Sequence, residues 1–172
     1  MSVLDILVYP EPALKRKSLP VENINKGLDC LLDDMAQTMR DANGVGLAAP
    51  QVGRNIQVLV VDVPLAEKQE GSQFYEFVNP IIVSSQGFQV GEEGCLSVPG
   101  FFAEIRRKEY IRVSAFDREG RRFTIEADGM LSRVLQHEID HLNGILFFER
   151  LTRLKRDIFV KQIDQCFAGG RS

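Results

Sequence analysis

Both histidines of this 172-residue chain, His137 and His141, lie four positions apart in His137-Glu138-Ile139-Asp140-His141, an H-E-x-x-H pattern. On an α-helix, residues i and i+4 leave the same face about one turn apart, so two imidazoles so placed can converge on one metal ion. Glu138 lies beside them, positioned to reach a metal-bound water rather than the metal. The segment has the marks of a helix. Asp128 is a candidate N-cap, Asn143-Gly144 a stop, and Leu135, Ile139 and Leu142 occupy the other sides. With the apolar run Gly144–Phe148 following, the spacing predicts a buried helix. Two histidines and a glutamate are costly to bury without partners, which argues for a bound cation over two ordinary core histidines.

A catalytic site of this kind needs a third protein ligand and an open coordination position. No third histidine exists, and Phe147 stands where the longer H-E-x-x-H-x-x-G-x-x-H pattern would place one. The third ligand is therefore a cysteine or a carboxylate. Cys95, in the tight segment Gly91–Gly100 (GEEGCLSVPG), is the best placed. Cys30 falls opposite Leu28 and Met35 on its predicted helix, and Cys166 lies near the C-terminus, so both read as bystanders. Three widely spaced cysteines do not suggest a disulfide framework.

The remaining chain reads as an α+β fold with mainly antiparallel pairing, since strands mostly follow strands without βαβ alternation. Tyr9–Pro12 is a turn. Leu28, Leu31, Leu32, Met35 and Met39 recur at helical spacing over residues 25–39, with Asn23 or Asn25 as cap. Strands are predicted over 56–63, 74–83 and 86–90, a loop over 66–73, and a hairpin of 110–117 with 121–127 about Arg118-Glu119-Gly120. A last helix spans 152–167 before a frayed tail at 168–172. The expected architecture is antiparallel sheets packed around a central H-E-x-x-H helix, with one helix in the N-terminal region and one at the C-terminus, as a single catalytic domain over 1–172. Apolar residues at 44% and charged residues at 26% are ordinary globular values. A net charge of −3 gives no basic field for nucleic acid. No apolar run reaches the ~18–20 residues of a membrane span, and MSVLDILVYPEP lacks a basic leader region. A cytoplasmic location is expected.

Gly44-Val-Gly46-Leu-Ala-Ala49 formally matches G-x-G-x-x-G/A, with Asp62 eighteen residues on. A dinucleotide site needs a strand before this motif and a helix after it. Here a helix precedes and Pro50 interrupts, so the segment reads as a wall of accessible backbone for an extended substrate. A Gln51 amide on that wall can donate to a developing oxyanion.

GVGLAAPQVG at 44–53, EGCLS at 93–97 and QHEIDHLNG at 136–144, in this order and separation, resemble the peptide deformylase family, as does YPEPALKRKSLPV at 9–21. The resemblance implies one divalent metal ion held by Cys95, His137 and His141. It implies that this ion is typically ferrous iron in the cell, with zinc, nickel or cobalt able to replace it. It implies Glu138 as the proton-transferring residue, Gln51 and the Leu96 N–H as donors to the formamide oxygen, and Gly46 as a backbone partner of substrate. The implied reaction removes the formyl group from N-terminal formyl-methionine of new polypeptides and releases formate. Met130, Arg133 and Val134 share the His137 helix face and, with Val45, are expected to line a slot for the methionine side chain, the Arg133 stem forming a wall while its charge reaches water. Gly100-Phe101-Phe102 departs from relatives with a longer side chain or an Arg there. One rival is an H-E-x-x-H zinc peptidase using a downstream carboxylate such as Asp164; a non-enzymatic metal-binding domain is another. Lys155, Arg156 and Lys161 read as a solvated face, with a ribosome contact as the alternative.

Overall fold

The run Val58-Leu-Val-Val-Asp-Val63 is apolar at both odd and even positions, the pattern of a strand covered on both faces. In the computed structural model, which describes residues 2–65 and 70–168, this is the case. The run belongs to β2 (Val58–Pro64). Leu59, Val61 and Val63 pack with Phe77, Val113, Ala115 and the helix residues Val134, Leu135 and Leu142. Val58 and Val60 point the other way and pack with Leu28, Leu32, Met35 and Met39.

Those two helices are α1 (Lys26–Asp41) and α2 (Gly129–Leu142). The α1 cap is Asn25, whose side chain accepts from the backbone N–H groups of Gly27 and Leu28, satisfying two of the orphan donors of the first turn. Around β2 runs a five-stranded antiparallel sheet ordered β1-β2-β3-β6-β7, with β1 Gly46–Ala48, β3 Ser72–Gln86, β6 Tyr110–Phe116 and β7 Arg122–Ala127. A separate two-stranded sheet pairs β4 (Gln89–Cys95) with β5 (Val98–Arg107). It packs through Val98 and Ile105 on Leu14, Phe147, Phe148 and the residues Phe159 and Ile163 of α3 (Arg153–Ala168). The class is α+β with antiparallel sheets and, among the described residues, three α-helices, as expected.

The structure corrects three local expectations. Part of the glycine-rich wall is a short edge strand, β1, paired with β2 (Gly46↔Val61) and followed by a 3-10 turn at Ala49–Val52. Residues 72–86 form one strand rather than ending at Val83. Asn79-Pro80 does not stop it, because the register slips between Val78 and Ile81 there, Asn79 has φ 52°, and a bulge accommodates a proline that cannot donate to the ladder. The strand predicted over 86–90 instead spans Gln89–Cys95, and Leu96-Ser97 turns the chain into a second strand, β5, that had no predicted counterpart. Residues 66–69 of the predicted loop and 169–172 of the predicted tail lie outside the described residues. Among the described residues no helix is long and apolar enough to cross a membrane.

Candidate metal centre

Two elements bring the donor atoms together. His137 and His141 occupy one face of α2, with ring centroids 5.0 Å apart and their Nε2 atoms 3.2 Å apart. Cys95 ends β4, where the pairing register shifts between Gly94 and Cys95. Such a bulge re-aims the next side chain, and the Cys95 sulfur comes to 3.3 Å from His141 Nε2. The three donor atoms lie within 4.8 Å of one another, the one such group of three among the described residues. One thiol and two imidazoles are a donor set for first-row divalent cations.

The surroundings fit a cation. His137 Nδ1–H donates to Glu93 Oε1 at 3.0 Å, which leaves the Nε2 lone pair facing the cluster. Burial pushes the His137 ring towards neutrality, but the Cys95 sulfur and the Glu93 carboxylate outweigh it and draw positive charge to that ring. His141 goes the opposite way: burial, then the positive charges of His137 and Arg107, hold it well below the ordinary histidine range. With a cation in place of the proton drawn to the His137 ring, one sulfur and two imidazole nitrogens would face it. His141 Nδ1 and Glu138 Oε2 are both buried without a hydrogen-bond partner among the described residues.

Glu138 is 4% exposed. Burial raises its carboxyl to about 7; His137 pulls it down and Glu93 pushes it further up. The carboxylate lies against β1 so closely that a Cβ on Gly46 would sit 2.5 Å from Glu138 Oε1. Any larger residue there would push the Glu138 carboxylate out of this position. Gln51 is buried in the 3-10 turn, its Oε1 accepting from Ala48 N at 2.9 Å. Its Nε2 donates to Ser97 Oγ at 3.1 Å and points at the Cys95 sulfur at 3.7 Å.

A cavity of about 540 Å³ opens over this group. Val45, Gly46, Gln51, Cys95, Leu96, Met130, Arg133, Val134, His137 and Glu138 all line it, so every predicted site residue except the deeper His141 reaches one space. Met130 is 48% exposed at the rim, not core. The expectation for Arg133 needs correction. Its charge does not stand free in water: the guanidinium is largely covered by the β4–β5 sheet and donates to Glu93 Oε2 at 2.7 Å and to the Ile105 carbonyl at 3.0 Å. Asp164, the rival ligand, instead accepts from the Tyr9 hydroxyl on the α3 surface at 2.7 Å. Cys30 and Cys166 are exposed, away from the cluster.

Four further charged residues support the centre without having been singled out in the sequence. Arg107 is 4% exposed, and its Nε and Nη2 donate to the two Glu93 oxygens, each at 2.9 Å. Its Nη1 donates to Asp140 Oδ2 at 2.6 Å, and Arg150 also grips Asp140. Burial would raise the Glu93 carboxyl, but hydrogen bonds from His137 and Arg107 and the Arg107 charge hold it at about 2. Glu93 and Asp140 stand inside the EGCLS and HEIDH segments, so position alone marked them. Arg107 carried no such signal, being an arginine in an unpredicted strand.

The polypeptide deformylase family model matches residues 3–157. A peptide deformylase of Syntrophobacter fumaroxidans is 46% identical over 162 residues, covering 94% of this chain and 94% of the relative. The crystal structure of a peptide deformylase from Legionella pneumophila matches with a TM-score of 0.86 at 42% identity, covering 99% of each chain. That of the Ehrlichia chaffeensis enzyme in complex with actinonin matches with a TM-score of 0.89 at 40% identity, covering 100% of each. By family model, relatives and fold together, this chain belongs to the polypeptide deformylase family.

Proposed function

We propose that this chain hydrolyses the formamide of N-terminal formyl-methionine on new polypeptides, releasing formate and a free amine. The reading places one divalent ion on Cys95, His137 and His141, with residues 1–172 as one catalytic domain and α2 as the central helix of the site. The observation that carries it is the convergence of the Cys95 sulfur and the two Nε2 atoms beside a buried carboxylate with an unpartnered oxygen. A bound divalent cation supplies Lewis-acid activation of water near neutral pH.

The chain's own residues do the rest. Glu138 takes the proton of the attacking water and hands it to the leaving amine nitrogen, a task suited to a carboxyl near 7. As the formyl carbon becomes tetrahedral, Gln51 Nε2 and the Leu96 N–H donate to its oxyanion. The substrate backbone lies along the free edge of β1 at Gly46, as an added strand. Val45, Met130, Val134 and the Arg133 stem take the methionine side chain. Arg133, its charge spent on Glu93, also ties that slot to the partner of His137.

Ferrous iron is the native ion in this reading, with nickel, cobalt or zinc able to replace it. Metal analysis of anaerobically purified protein, paired with a formate-release assay, tests this; zinc alone in the fully active preparation refutes iron. For the residues, Glu138→Gln is expected to retain metal and lose about 10²–10⁴-fold in turnover. Cys95→Ser is expected to lose tight metal binding. Tight metal and full turnover in Cys95→Ser would overturn the ligand assignment.

A further inference from the structure

Leu7 and Tyr9 take no part in the chemistry above, yet each holds one half of the oxyanion site from behind. The Leu7 N–H donates to the carbonyl of Gln51 at 2.7 Å, and the Tyr9 N–H donates to the carbonyl of Ser97, the residue after Leu96, at 2.8 Å. One strap therefore bridges the turn that carries the Gln51 amide and the turn that carries the Leu96 N–H. On the cavity side the same two turns are joined once more, by Gln51 Nε2 donating to Ser97 Oγ. The strap is anchored at its far end by a side chain. The Tyr9 hydroxyl donates to Asp164 Oδ1 of α3 at 2.7 Å, and the Tyr9 ring lies edge-on to Phe148 and Phe167 at 5.8 and 5.9 Å. Asp164 is at the surface, so an unbroken path of bonds runs from the outside of α3 to the two donors.

We propose that Tyr9 is a positioning residue for the reaction: through Ser97 it sets the Leu96 N–H against the Gln51 amide, and its bond to Asp164 makes α3 part of that setting. The proposal rests on the assignment of Gln51 and Leu96 as oxyanion donors. Donors to an oxyanion act by preorganisation, so a loosened strap lowers the rate of the chemical step more than the binding of ground-state substrate. A strap that merely glued the fold together would lower the melting temperature and leave turnover at moderate temperature alone.

The test uses the full-length, metal-loaded enzyme and a formyl-methionyl tripeptide. Tyr9→Phe keeps the ring and the backbone bond, and Asp164→Ala, on the surface, removes the same side-chain bond from the other end. Each is expected to lower kcat about three- to tenfold, the size of one hydrogen bond expressed as a rate, with KM and bound metal unchanged. The double variant should be no slower than either single one. Asp164→Asn, whose amide oxygen still accepts from the phenol, should restore kcat. Wild-type kcat in both single variants, with or without a fall in melting temperature, overturns the proposal, as does a double variant whose losses multiply. Gln51→Ala separates the two layers. If it loses turnover while Tyr9→Phe and Asp164→Ala do not, only the strap is refuted; if it keeps wild-type kcat, the oxyanion assignment falls and the strap with it.

Discussion

Gly46→Ala is the smallest change that reaches Glu138 without touching it. The added methyl carbon would sit 2.5 Å from Glu138 Oε1 and 2.9 Å from both Cδ and Cγ. Ordinary contact begins near 3.4 Å, so carboxylate and strand must separate by about 1 Å. Gly46 is held by its pairing to Val61 in the sheet, so the Glu138 carboxylate, at the end of a flexible side chain facing the cavity, is the part that gives. Overpacking of this kind costs about 1–3 kcal/mol of stability. Its effect on rate is larger, because a misplacement of about 1 Å in a reacting group costs on the order of 10²-fold. The expected result is a folded protein with full metal content, a kcat for formate release lower by about two orders of magnitude, and a modest fall in melting temperature. Metal content is the control, since the ligands Cys95, His137 and His141 are not the atoms displaced. A Gly46→Ala enzyme within twofold of wild-type kcat would show that Glu138 can shift without consequence, and would refute its role as the proton carrier.

Three other outcomes follow from the geometry. Arg107→Met leaves Glu93 and Asp140 buried against a missing partner and should cost about 3–5 kcal/mol in denaturant unfolding. Because Glu93 is held at about 2, below its ordinary 4.5, its contribution is complete above pH 4.5 and is lost as pH falls towards 2; in Arg107→Met acid unfolding should begin at higher pH, and an unchanged acid limb would refute the pairing. Removing the metal with a chelator should lower the melting temperature by about 8–16 °C, the equivalent of about 4 kcal/mol for an ion held a thousandfold above its Kd; no shift would mean that no ion joins β4 to α2. Burial, then the bond to Asp164 and the charges of Asp164 and Glu149, raise the Tyr9 phenol to about 12, so its contribution is present below pH 10 and lost between pH 10 and 12. Phenolate absorbance should show one tyrosine titrating late, and Asp164→Asn should bring it down; unchanged titration in that variant would refute the contact.

The sequence made the local signals legible and left the distant ones dark. The Leu28–Met39 periodicity marked α1 and narrowed its cap to Asn23 or Asn25, of which the structure uses Asn25, because capping is a contact within four residues. Arg118-Glu119-Gly120 marked the β6–β7 hairpin for the same reason. The H-E-x-x-H spacing marked the two imidazoles, since helical periodicity alone fixes their common face. β5 was missed because Pro99 and Gly100 open it, and because its burial alternates from Phe101 to Arg107 with a phenylalanine, Phe102, on the outer face and an arginine, Arg107, on the inner one, which blurs the apolar pattern. The full length of β3 was missed because Asn79-Pro80 is a local stop signal that a bulge overrode. Arg133 illustrates the limit most clearly. Its helix face was read correctly, but its charge was assigned to water because the sheet that covers it lies some thirty to forty residues earlier in the chain.

Asp140 changes what it would mean to graft this centre elsewhere. It occupies the second variable position of the H-E-x-x-H stretch, yet it receives two arginines, one from β5 and one from the segment leading into α3. A host helix given only the two histidines and the glutamate would inherit nothing to brace the imidazole at 137, whose support runs through Glu93 and Arg107 to that aspartate. The transplantable unit is therefore a helix together with the hairpin clasped to it.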